Sequence, residues 1–176
     1  MKKVFIGFLL FIFFFINVGF AKEPVMVGGY LFPPFVEKNK DGYTGVTLDM
    51  IKATNAFQNK YQFKFYPTTS KRRYHSFKKK KFNMIMFESK DWGWKNLPIE
   101  SSKVFLRGGE VYIALSKPGR GQDFFSDFEN KEMVGILGYH YGFADFNSDE
   151  KFLKKKFKIK LITMHENIIK LILRGR

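Results

Sequence analysis

The sequence contains no cysteine, which excludes a disulfide framework, a thiol nucleophile and a lipid-modified cysteine behind a leader. Histidine is almost as scarce. His75, His140 and His165 are far apart and lack the i, i+4 spacing of a helical metal pair. No Ser-His-Asp pattern, phosphate-binding glycine loop or carboxylate pair stands in a context that suits catalysis. The sequence therefore implies no catalytic residue, no metal and no cofactor. Acidic residues are outnumbered, 16 against 31 basic ones, for a net charge of +15.

That charge raises the question of nucleic acid. The basic clusters are Lys71-Arg72-Arg73, Lys78 to Lys81 and Lys154 to Lys156. Each reads as the solvated face of a helix, so no nucleic-acid partner is expected. The long hydrophobic run lies at the start, where Lys2 and Lys3 precede Val4 to Ile16 and small residues follow at Gly19 and Ala21. This is the layout of a secretory signal peptide over 1–21, cleaved after Ala21. A retained anchor over residues 4–20 is the alternative, although the run is short of the ~20 residues a span needs. The expected location is the periplasm.

The chain then organises itself around Val25 to Ile51. Val25-Met26-Val27 reads as a buried strand ending at Gly28-Gly29. Pro33 and Pro34 stiffen the following loop, and Asp41-Gly42 marks a turn. Thr47 reads as a helix N-cap, with Val46, Met50, Ala53 and Phe57 on one apolar stripe. Tyr61 to Tyr66 alternates as a strand, Ser70 to Lys81 reads as a helix with Tyr74 and Phe77 inward, and Phe82 to Phe87 as a strand. This β-α-β-α-β order predicts an open sheet covered by helices, with ligands beyond the carboxyl ends of its strands.

Lys103 to Leu115 has the pattern of a long strand interrupted at Gly108-Gly109, and Ser116 to Gln122 reads as a linker. Beyond it come a short helix in Phe124 to Asn130, a strand at Met133 to Leu137 and a glycine-aromatic loop, Gly138-Tyr139-His140-Tyr141-Gly142. A helix over Phe152 to Phe157, a strand at Ile159 to Ile162 and a helix carrying Met164, Ile168, Leu171 and Ile172 complete the pattern, with Gly175 as its stop.

Several of these stretches, taken together, resemble the extracellular solute-binding proteins of family 3, the polar amino-acid type that serves ABC importers. The carriers are Tyr30-Leu31-Phe32-Pro33-Pro34-Phe35, Asp41-Gly42-Tyr43-Thr44-Gly45, Leu48-Asp49, Asn83-Met84-Ile85-Met86, Val111-Tyr112-Ile113-Ala114 and Val134-Gly135-Ile136. The resemblance runs from Val25 to Arg176. It implies an α/β, periplasmic binding protein-like type II fold: two α/β lobes with a hinge, the first at 22–115 and the second, incomplete, at 116–176. It also implies a monomer that binds a small-molecule solute in an interlobe cleft, without chemistry, and meets the membrane subunits of an ABC importer.

Two departures shape the expected site. Where such proteins carry a Thr-x-x-Arg-like segment, this chain has Glu88 to Lys95, placing Lys95 at the position of a carboxylate-gripping arginine. Lysine keeps the charge but lacks the planar fork. The chain also ends at a helix that such proteins follow with a further strand, so a truncated second lobe is expected. The candidate ligand-binding residues are Tyr30, Phe32, Glu88, Trp92, Trp94, Lys95, Tyr139 and His140. The competing readings are a non-binding remnant or interaction protein, and a secreted hydrolase using His140 with Asp145 or Glu88.

Overall fold

The structure, a computed structural model, describes residues 21–175. The leader reading therefore lies almost entirely outside the described residues. Among these, no helix is long and apolar enough to cross a membrane.

The first lobe is built on three parallel strands in the order β4-β1-β5, with β1 at Glu23–Gly29, β4 at Tyr61–Pro67 and β5 at Met84–Ile85. A two-stranded antiparallel ribbon, β2 (Glu37–Asn39) with β3 (Gly42–Thr44), leads into helix α1, Val46–Phe57. Helix α2 spans Arg73–Lys78 between β4 and β5. The central strand is held against aromatic side chains at van der Waals distance. A Cβ at Gly28 would lie 2.7 Å from the Phe82 ring, and one at Gly29 would lie 2.5 Å from Phe65. Only glycine leaves room for those rings. Val27, Val36, Ile51 and Phe82 form the buried apolar centre.

The start of α1 corrects the sequence expectation. Gly45, with φ of 107°, is the N-cap, and Thr47 makes no capping bond but is buried. The Pro34 and Phe35 carbonyls accept from the Val46 and Thr47 N–H groups at 3.2 and 2.9 Å, so the proline loop itself satisfies the first orphan donors. This docking turns Thr47 and Ile51 inward and leaves Val46, Met50, Ala53 and Phe57 on the exposed face. The helix expected over Ser70 to Lys81 and the strand over Phe82 to Phe87 are both shorter than their patterns.

Lys103 to Leu115 is the largest departure. It forms no strand, and Val104, Phe105 and Val111 are 77, 64 and 85% exposed. A strand pattern needs a neighbour for its backbone groups, and none lies alongside among the described residues.

The second lobe pairs β6 (Met133–Ile136) in parallel with β7 (Ile159–Ile162), linked through α3 (Glu150–Lys156) and followed by α4 (Glu166–Leu173). The short helix expected near Phe124 is a single 3-10 turn at Gln122–Phe125. Asp149 caps α3 by accepting from the Phe152 N–H at 2.8 Å, while Lys154, Lys155 and Lys156 sit in the last turn where the helix dipole favours cations. Ala144, Leu153, Phe157 and Ile159 make this lobe's own core, packed by Phe128, Met133 and Phe143.

Candidate functional site

Because β4, β1 and β5 are parallel, their carboxyl ends deliver three segments to one edge: Tyr30, Thr68 to Arg73, and Met86 to Glu88. Their polar side chains converge on a buried ion pair. Arg73 Nε lies 3.2 Å from Glu88 Oε2, with the side chains 1% and 7% exposed. Nε makes no aligned hydrogen bond, so charge rather than direction holds this contact. Nη1 donates to the Ser70 carbonyl and, at 3.4 Å, to the Gly138 carbonyl of the second lobe. The guanidinium carbon sits 4.7 Å from the Tyr30 ring centre and 4.5 Å from that of Tyr74, a cation between two aromatic rings.

Glu88 is fully occupied within the protein. Tyr30 Oη donates to Oε1 at 2.6 Å and Trp94 Nε1 to Oε2 at 2.5 Å. Burial pushes the Glu88 carboxyl up, opposed by the Arg73 charge and by these donors. Burial, reinforced by the Glu88 charge, also raises the Tyr30 phenol, and burial pushes Tyr74 up to about 12.

The second lobe meets this edge through the loop after β6. Ser70 Oγ donates to the Leu137 carbonyl at 2.7 Å. Gly138 has φ of 80°, and a Cβ there would lie 2.8 Å from Lys71 Cγ and 2.9 Å from Ser70 Oγ. A left-handed backbone and a close approach both require glycine at this point. Tyr139 Oη donates to the Leu31 carbonyl at 3.0 Å. Its ring stands edge-on to Tyr30 and Phe32, with centres 6.1 and 5.6 Å away. Tyr74 Oη donates to the Trp92 carbonyl at 2.5 Å and lies 2.8 Å from His140 Nε2, while His140 Nδ1 contacts the Phe146 carbonyl at 2.5 Å. Burial holds the His140 imidazole below its ordinary value, the Arg73 charge acting in the same direction.

The structure brings Tyr30, Phe32, Glu88, Trp92, Tyr139 and His140 around this junction. Phe32 stacks on Tyr30 at 5.9 Å, and Trp92 is edge-on to Phe32 at 5.9 Å. Trp94 belongs to the interior rather than to an open wall: it is 2% exposed and packs on Tyr74 and Phe77. Lys95 lies apart, 70% exposed and paired with Asp91 at 2.7 Å. A hydrolytic pair does not assemble: a backbone carbonyl, not Asp145, faces His140 Nδ1, and Glu88 is committed to Arg73. Among the described residues no cluster of His, Asp and Glu could hold a metal.

Arg73 is the residue that sequence reasoning missed. Set in a basic triplet, it reads as one more solvated charge. Its place just after the carboxyl end of β4, with an aromatic neighbour at Tyr74, is the one signal that separates it from Lys71 and Arg72.

Two spaces adjoin the cluster. A cavity of about 10 Å³, bounded by Gly28, Gly29, Tyr30, Phe32, Phe35 and Met86 among others, is no larger than a single water requires. Beside it, an open groove of about 680 Å³ runs between Ser70, Lys71 and Tyr74 on one lobe and Gly138 with Asn147 to Lys151 on the other.

Two α/β lobes meeting at the carboxyl ends of a parallel sheet define the class: a periplasmic binding protein-like fold of type II. No protein-family profile matches the chain, and no curated protein matches it in sequence. Among solved structures, it is similar to the ancestral amino acid-binding protein AncCDT-1, a precursor of cyclohexadienyl dehydratase. That likeness has a TM-score of 0.59 at 21% identity, covering 87% of this chain and 66% of the other. A probable amino-acid ABC transporter extracellular-binding protein from Bacillus subtilis gives 0.49 at 15% identity, over 89% of this chain and 68% of that one. An ancestral cationic amino acid solute binding protein gives 0.43 at 19%, over 87% and 66%. The chain thus spans 66% of the length of the first of these. At 21% identity the likeness to the first neighbour is one of fold, and the fold is the one that the resemblance read from Val25 to Arg176 implies.

Proposed function

We propose that the protein is a solute-binding protein of the family 3 kind, taking a small amino-acid-like or aromatic solute between its lobes without chemistry. The observation that carries this reading is the junction itself. Arg73, Glu88, Tyr30 and Phe32 from the first lobe meet Gly138, Tyr139 and His140 from the second, so the contact between the lobes and the candidate site coincide. On this reading the lobes are 22–115 and 116–176, residues 1–21 are removed on export, and the bound solute passes to the membrane subunits of an ABC importer. The non-enzymatic character is part of this reading, in which Glu88 is committed to Arg73 and the Phe146 carbonyl faces His140 Nδ1.

A thermal-shift screen of amino acids, amines and aromatic acids on the chain starting at Lys22 tests the reading. A saturable rise in Tm with one solute class is expected, since a ligand at 100-fold its Kd adds ~2.7 kcal/mol of stability. Uniformly flat responses would overturn it.

A further inference from the structure

We propose that Tyr139 stands in the place of the solute: its phenol ring fills an aryl site between the lobes, and ligands of this protein carry a neutral aromatic ring with a hydrogen-bond donor that replaces it. The inference deepens the solute-binding reading and rests on it for the existence of a natural ligand.

Three observations carry it. Tyr139 belongs to the second lobe by sequence, yet it is not among the side chains that build that lobe's core. Its ring lies beside Tyr141 and His165 of its own lobe and stands perpendicular to two first-lobe rings, Tyr30 and Phe32, while its hydroxyl donates to the Leu31 carbonyl on the same proline loop. A phenol held perpendicular to two rings and by one backbone acceptor is a pattern by which a cleft recognises an aryl donor. Next, the Phe32 ring already meets Tyr30, Phe35 and Trp92 of its own lobe, and the second-lobe ring against it is Tyr139. A solute that meets Phe32 from the second-lobe side must therefore displace Tyr139 rather than join it. Finally, the nearest charges are already spent on each other, because Arg73 and Glu88 form a neutral pair. A ring bearing its own charge would meet no free counter-charge there, whereas a neutral ring costs nothing in unpaired charge. The polar remainder of such a solute can lie in the adjoining groove, where Ser70 and Lys71 face Glu150 and Lys151.

Emptying the site and refilling it with p-cresol tests this in the full chain. Tyr139→Ala is expected to bind p-cresol at least tenfold more tightly than the native protein, read by the change in tryptophan fluorescence near Trp92 and by a saturable Tm rise. Tyr139→Phe keeps the ring in place and should bind no better than native. Tyr139→Leu, which retains apolar bulk, should fall between. A folded Tyr139→Ala protein, judged by far-UV circular dichroism, that shows no gain over native overturns the proposal. If Tyr139→Ala folds only when p-cresol is present, the proposal stands; if it stays unfolded and Tyr139→Leu shows no gain, the proposal falls. Cresol binding by the variant with a flat solute screen on the native chain would leave the ring site standing and remove the transport reading. A native solute hit without a cresol site would do the reverse.

Discussion

Arg73 and Glu88 form a buried ion pair, Nε to Oε2 at 3.2 Å, at the point where both lobes meet. Taking two charges out of water is costly, and such a pair roughly offsets that cost only while both members are present. Each partner is therefore more conspicuous by its removal than by its net contribution.

Glu88→Gln should destabilise the protein by about 3 kcal/mol in urea unfolding, because it leaves the Arg73 charge buried without a counter-charge. Tyr30 and Trp94 would also lose the anionic acceptor they share. The double change Arg73→Met with Glu88→Leu should cost less than Glu88→Gln alone, since no buried charge remains. Equal or larger loss in the double variant would show that the pair itself stabilises the fold.

A second prediction concerns pH. His140 titrates below its ordinary 6.5 because of burial, aided by Arg73 and opposed by the Phe146 carbonyl. Between the folded and unfolded values, the unfolded chain holds more protons, so stability rises with pH across that interval. The contribution is complete above 6.5 and is lost as pH falls through the lower folded value. Tm should therefore drop from pH 7 towards pH 5, and the drop should be shallower in His140→Gln. Some slope should survive in that variant, because burial also lowers His165. An unchanged slope would mean that His140 is not buried in solution as it is here.

The third prediction follows from exposure. Residues 101–113 are exposed throughout and belong to no helix or strand. Brief trypsin treatment should cut first after Lys103 and Arg107, ahead of the lysines of α3, as mass spectrometry of the early fragments would report. Early cleavage within α3 instead would contradict the picture of an ordered second lobe.

Much of the fold was legible where local pattern and tertiary environment agree. The β7 bounds coincide with the apolar run Ile159 to Ile162, and the alternation of Tyr61 to Tyr66 falls within β4. The reading failed where partners decide. Lys103 to Leu115 has strand chemistry but no neighbour to pair with, and periodicity alone does not supply one. In α1 an apolar stripe exists, yet the Pro34 and Phe35 carbonyls fix the helix's rotation and turn that stripe outward. Tyr30, Phe32 and Tyr139 could be singled out because they lie beside glycine and proline in loops at strand ends, and the structure brings their rings together. Arg73 was missed because its burial depends on Glu88 and Tyr30, both distant in sequence, and its one local signal is the adjacent Tyr74.

Gly138 and the loop around it have one more consequence. The hydrogen bonds across the junction come from loop and turn positions or helix entrances, while each lobe keeps a separate apolar centre. The balance between joined and separated lobes thus rests on a handful of residues at loops and helix starts, together with the Tyr139 ring against Tyr30 and Phe32. Each factor of ten in that balance needs only ~1.4 kcal/mol, about the worth of one or two such bonds. A single exchange in the loop should therefore change how firmly the lobes hold together while both interiors stay as they are.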